Sequence, residues 1–152
     1  MSNLLKPQLA EAIKTAMRAK DRTRLNTLRL LHAAIRQIEI DERRDLDDAG
    51  VTTVIEKQVK QRRESIIAFE QAGRADSAKQ EQDELLILQE FLPRQAAAEE
   101  IDAAIQAAIA DAAAQGMTGG KAMGKIMGQL KTALAGRADM SAVSAQVKAR
   151  LA

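Results

Sequence analysis

Apolar residues recur at steps of three and four along nearly the whole chain, and no stretch alternates as a half-buried strand does. The pattern predicts an all-α fold. A first helix carries Leu5, Leu9, Ile13, Ala16 and Met17 on one face, with Pro7 in its first turn. Asp21 caps a second helix running to about Arg44, with Leu25, Leu28, Leu31, Ile35 and Ile38 in one stripe. Arg22, Arg29, Arg36 and Arg43 form a second stripe, read as a solvated face, and Glu39 is placed to pair with Arg43. The charged run from Asp41 to Gly50 reads as a loop. Thr53-Val54-Ile55-Glu56 has capping-box spacing and opens a third helix with Ile55, Val59, Ile66 and Phe69 inward. Gly73 falls just past it. Asp76 or Ser77 then caps a fourth helix with Leu85, Leu86, Leu88, Phe91 and Leu92 as its apolar set.

Pro93 stops that helix, because the residue before a proline is pushed out of the α region. The boundary it implies separates an N-terminal helical domain, 1–93, from a C-terminal domain, 94–152. In the second, one helix shows Ile101, Ile105, Ile109 and Ala112 and ends at Gly116. A glycine–lysine helix follows, ending near Gly136. Asp139 or Ser141 caps a last helix with Val143, Val147 and Leu151. Three short helices make a small bundle.

The stretch from Thr118 to Lys131 has the most unusual composition. Read as one helix, Gly120, Gly124, Gly128 and Lys131 fall within roughly 80° of each other, with Lys121 and Lys125 alongside. Met123, Ile126, Met127, Leu130 and Leu134 take the opposite side. Each glycine inside a helix costs about 0.8–1 kcal/mol relative to alanine. Something must therefore gain from coming close to this backbone: a second helix packed tightly on it, or a nucleic-acid backbone whose phosphates the lysines neutralise.

Charge sharpens the picture. Net charge is +2, but residues 1–93 hold 16 basic and 16 acidic side chains. Residues 116–152 set Lys121, Lys125, Lys131, Arg137, Lys148 and Arg150 against Asp139 alone. A basic end of this kind is a polyanion footprint, or a set of solubilising lysines. With only Phe69 and Phe91 aromatic, a base-stacking platform is not expected, so nucleic-acid contact should rest on shape and phosphates.

No catalytic residues are expected. The chain has no cysteine and a single histidine, His32, read as a plain helix residue. No Gly-x-Ser-x-Gly elbow, phosphate loop or calcium-loop spacing is present, so no cofactor or metal is expected. No apolar run has the ~20 residues of a membrane span. The N-terminus lacks the marks of a targeting segment, which predicts a cytoplasmic protein.

Several motifs together resemble the YqeY-like family (the GatB/YqeY domain): Thr27-Leu28-Arg29-Leu30-Leu31-x-Ala33-Ala34-Ile35, Lys60-Gln61-Arg62-Arg63-Glu64-Ser65-Ile66, Phe69-x-x-Ala72-Gly73-Arg74-x-Asp76, Phe91-Leu92-Pro93, Met123-Gly124-x-x-Met127 and Gly136-Arg137-Ala138-Asp139. That family is similar to the C-terminal tail of the GatB subunit of tRNA-dependent amidotransferases, where the tail helps hold tRNA and the chemistry lies elsewhere. The resemblance implies a helical hairpin-like N-terminal domain and a C-terminal three-helix domain. It implies a non-catalytic tRNA-binding or tRNA-enzyme accessory protein acting in translation. The expected RNA contacts are Lys121, Lys125, Lys131 and Arg137, with Gly120, Gly124 and Gly128 allowing close approach, and Lys148 and Arg150 extending the patch. The partners implied are tRNA and an aminoacyl-tRNA synthetase or amidotransferase. A helical protein–protein adaptor is the alternative. A component of a carbon–nitrogen ligase with glutamine as amido-N-donor is the second alternative, inherited from the family association alone.

Overall fold

A computed structural model describes residues 2–152. Among them the regular structure is entirely helical, with seven α-helices, one 3₁₀ turn and no strand. The chain divides after Pro93 into two compact units.

The first unit holds α1 (Leu5–Ala19), α2 (Arg22–Glu42), α3 (Asp48–Gln71) and α4 (Ala75–Gln89). Leu9, Leu28, Leu31, Ile35, Val51, Ile55, Val59 and Leu88 are buried together, at about 1.5–3 kcal/mol for each large side chain removed from water. The Asp21 side chain accepts from the Arg24 backbone N–H, so it caps α2 as its position predicts.

Four local expectations give way. α3 starts at Asp48, well before Thr53, because Asp47 accepts from the Gly50 N–H and caps the helix earlier. The Thr53 hydroxyl donates to the Ala49 carbonyl inside the helix instead of capping it. The lone large apolar residue of the supposed loop, Leu46, is buried, and an early α3 buries Val51 and Val54 beside it. α4 begins at Ala75 with no side-chain cap, leaving Asp76 in its first turn, where a carboxylate suits the positive end of the helix dipole. Leu86 is 52 % exposed, since it lies about 100° from the Leu85–Leu88 stripe that faces the core.

Glu39 departs furthest from its expected role. Arg43 ends α2 in the left-handed region at φ 53°, out of i,i+4 register. Glu39 turns inward and is buried. Its carboxylate accepts from Lys6 Nζ at 2.5 Å and from the Leu46 N–H at 2.9 Å. The Lys6 hydrogen bond, and then the Leu46 N–H, hold its pKa below the usual glutamate value. Asp48 makes a second tie to the N-terminal segment, accepting from the Leu5 N–H at 2.9 Å while its own N–H donates to the Ser2 carbonyl.

The second unit holds α5 (Ala98–Ala114), a 3₁₀ turn (Gly119–Ala122), α6 (Met123–Ala133) and α7 (Met140–Leu151). Ile105, Ala108, Ala112, Ala122, Ile126, Leu130, Leu134, Val143 and Val147 form its core. Small residues on α5 let the others come near. Asp139 caps α7, its side chain accepting from the Ser141 N–H. α5 begins at a run of alanines with no side-chain cap. The loop before α7 holds this end instead: the Ala96 N–H donates to the Arg137 carbonyl at 2.7 Å, and Gln95 Nε2 to the Gly136 carbonyl at 3.0 Å.

Candidate functional site

The glycine–lysine stretch does not form one continuous helix. Gly119 adopts φ 63°, a left-handed conformation that breaks helical register and that glycine accepts without strain. Gly120 and Lys121 therefore belong to the 3₁₀ turn, and α6 proper begins at Met123. It ends at Ala133, before Gly136 turns left-handed at φ 70°.

Within α6 the two faces hold. Ile126 and Leu130 are fully buried, with Leu134 just beyond the helix end, while Gly124, Gly128 and Lys131 are exposed. Gly120 and Lys121 are exposed on the preceding turn. A Cβ placed on Gly120, Gly124 or Gly128 would meet no atom within 4 Å. None of the three is spent on packing within the second unit, so the tight-packing explanation is withdrawn for contacts inside the fold.

The predicted cations divide into two groups. Lys121, Lys131 and Lys148 make no ion pair among the described residues, and all three are exposed. Lys125 is half-buried and donates to Gln115 Oε1 at the end of α5, a neutral partner that leaves its charge uncompensated. On the same flank Gln129 Nε2 donates to Asp111 Oδ2 at 2.9 Å. Lys131 and Lys148 lie in the last turns of their helices, where a cation also suits the negative end of the helix dipole.

Arg137 and Arg150 are engaged. Arg137 Nε donates to the Arg94 carbonyl at 2.9 Å, and its Nη2 pairs with Glu100 at 2.6 Å. That hydrogen bond, with one from the Ala97 N–H, holds the Glu100 pKa below the usual glutamate value. Arg150 pairs with Asp102. Arg137, expected among the phosphate contacts, clasps the loop before α7 to the start of α5. Glu99 and Glu100 in the first turn of a capless helix were the available signal for such a partner.

Elsewhere, Arg22, Arg29, Arg36 and Arg43 are exposed along α2, and His32 is exposed beside them. His32 lines a cleft of about 510 Å³ with Lys6, Arg36, Glu39 and Asp45, whose charges largely offset one another. No group of three or more His, Cys, Asp or Glu among the described residues could hold a metal ion, and no helix there is long and apolar enough to cross a membrane.

Comparison with known proteins adds a family. The family model described as "Yqey-like protein" matches residues 6–151. Among curated proteins, the chain is 41 % identical over 98 residues to "Altered inheritance of mitochondria protein 41, mitochondrial" of Eremothecium gossypii, a match covering 62 % of this chain and 54 % of that protein. The protein of the same name from Kluyveromyces lactis is 37 % identical over 101 residues, covering 64 % and 54 %. That from Pyrenophora tritici-repentis is 34 % identical over 89 residues, covering 59 % and 49 %. The chain spans about half the length of the curated relatives it matches.

These names overturn one expectation. The cytoplasmic assignment rested on the character of the N-terminal residues, yet the relatives are named as mitochondrial. Residues 5–19 form a helix that buries Leu9 and Ala16. The assignment is withdrawn. With the family model matching from Lys6 to Leu151, nearly end to end, the chain belongs to the Yqey-like protein family.

Proposed function

We propose that the open face around α6 binds the phosphate backbone of tRNA, and that the protein is a non-catalytic accessory to a tRNA-dependent enzyme. The reading takes the second unit as a three-helix domain of the amidotransferase-tail type and the first as a helical hairpin-like domain. One observation carries it: three glycines stand on an open surface, with no internal neighbour to explain them, beside lysines that have no acidic partner. Bare helix backbone admits a phosphate chain closely, and uncompensated ammonium groups attract it. Lys121, Lys125 and Lys131 are the contacts, with Gly120, Gly124 and Gly128 between them. Arg137 supports the fold beneath.

The test is binding of the full chain to bulk tRNA at low and high salt, for wild type and for the double variant Lys121→Glu, Lys125→Glu. Affinity of the wild type should fall steeply with salt, with a log–log slope of about −0.9 for each phosphate neutralised. The variant should lose at least about tenfold at low salt and show a shallower slope while keeping its helical circular dichroism. Equal binding by the two proteins, or none by wild type, sinks the reading.

A second reading, a protein–protein adaptor, has its own support. Leu30 and Ile40 are 57 % and 62 % exposed on α2 beside the arginine stripe, a face fit for an acidic amphipathic helix. Reversing Lys121 and Lys125 would leave that contact unchanged.

A further inference from the structure

Between α6 and α7 lies a groove of about 500 Å³, lined by Met127, Lys131, Met140, Ser141, Ser144 and Lys148. It is shallow and open to solvent. Its lining holds two cations and no carboxylate. Neither lysine has an ion-pair partner among the described residues. Met127 and Met140 are half-buried at the edge of the core, so each keeps part of its side chain toward the groove. The Ser141 N–H is already taken by the Asp139 side chain, so the start of α7 is not itself the anion site. The serine hydroxyls, which can both donate and accept, are the neutral polar groups of the lining.

An occupant suited to this lining brings negative charge to the two lysines, polarisable surface to the two methionines and polar groups to the serines. We propose that the groove seats one unpaired RNA nucleotide, its phosphate between Lys131 and Lys148 and its base on the Met127 and Met140 side chains. The inference rests on the RNA reading above and narrows it. A purely duplex surface offers phosphates but nothing to lie on the methionines. Methionine sulfur against an aromatic ring contributes about 0.3–1.5 kcal/mol, enough for one base without the aromatic platform this chain lacks. Lys131 joins the two sites, since it lies on the glycine face and in the groove.

The experiment compares two two-stranded RNA duplexes of the same sequence, one blunt at both ends and one with a short single-stranded overhang as its tail. Both are titrated at low salt against the full chain carrying ¹³C-methyl methionine. The tailed RNA should bind about two- to tenfold tighter, and Met127 and Met140 methyl signals should move only with it. Lys148→Glu, at an exposed position, should keep its helical circular dichroism and erase the tail's advantage while changing blunt binding much less. Three results overturn the proposal: equal affinity for both RNAs, methionine shifts confined to positions outside the groove, or a Lys148→Glu loss of the same size for each RNA. In all three the phosphate-face reading survives, because the blunt duplex still binds. If neither RNA binds, that reading falls and this one with it.

Discussion

Gly50 and Gly124 both sit inside helices, in different units, and they are there for opposite reasons. A Cβ on Gly50 would come to 2.9 Å from Leu46 Cδ2 and 3.3 Å from its Cβ. A Cβ on Gly124 would meet open space. The first glycine makes room for the chain's own core; the second keeps clear a surface the chain does not use. Charges divide less cleanly, since the second unit also pairs Arg137 with Glu100 and Arg150 with Asp102. In the first unit Lys6 pairs with Glu39, Arg24 with Glu90, and Arg62 with both Glu81 and Glu84. In the second, Lys121, Lys131 and Lys148 make no ion pair among the described residues. A helix-disfavouring residue or an uncompensated charge says little alone. It points outward only once the fold is shown not to need it.

The largest effect that sharpens this contrast should come from Glu39→Ala. It strands the Lys6 ammonium and the buried Leu46 N–H, and should lower the first unit's stability by about 2–4 kcal/mol in urea denaturation. The same carboxylate sets an acid dependence. Because its folded pKa is lowered, its contribution is fully present above the ordinary value of 4.5 and is lost as pH falls below that toward the folded value. Wild type should weaken over this window, and Glu39→Ala should show a flatter profile. An unchanged profile would show that the pair does not hold in solution.

Next come glycine substitutions expected to differ in sign between the two units. Gly50→Ala gains helix propensity but presses on Leu46, which is buried and tied by its N–H to Glu39, so a net loss of about 1 kcal/mol is expected. Gly124→Ala and Gly128→Ala should each stabilise the second unit by about 0.8–1 kcal/mol, visible as a higher melting temperature, while weakening tRNA binding. Stabilisation with unchanged binding would break the link between open backbone and RNA. Arg137→Ala should follow, costing the second unit about 1 kcal/mol through the lost ties to Arg94 and Glu100. Its residual binding at a temperature where it stays folded should match wild type within about threefold; a larger loss would return Arg137 to the interface. The smallest is Glu81→Gln. Burial first, and Glu84 second, raise the Glu81 pKa, so ionising it costs stability above the ordinary glutamate value. Removing that charge leaves Arg62 with Glu84 and should gain a few tenths of a kcal/mol near neutral pH, with no gain below pH 4.

The sequence reading fared best where local chemistry decides. Helical spacing appears as seven helices, and Asp21 and Asp139 cap as their positions imply. It failed where two local signals compete and a distant contact chooses. Asp47 and Thr53 both offer a cap, and the earlier one wins because it buries Leu46, Val51 and Val54. Glu39 had a partner in register at Arg43, yet Lys6, 33 residues away, holds it. The candidate face was legible as a run of glycines and lysines, but its break at Gly119 was not, since spacing alone carries no backbone dihedral. Nor could the sequence separate an engaged cation from an unpaired one. Arg137 and Lys131 look alike until Glu100 is seen beside the first.

The bare outer side of α6 has a consequence in time as well as in space. With no side chain on Gly124 or Gly128, water reaches the helix backbone there, and glycine gives up more conformational freedom than other residues when it joins a helix. Local opening of this turn is therefore cheap relative to the buried turns around Ile105 or Val147, and its amide protons should be among the first of the second unit to exchange with solvent. A ligand lying along the glycines would close that leak, so occupancy of the face would be recorded as slowed exchange in α6 even where no atom of the fold changes position.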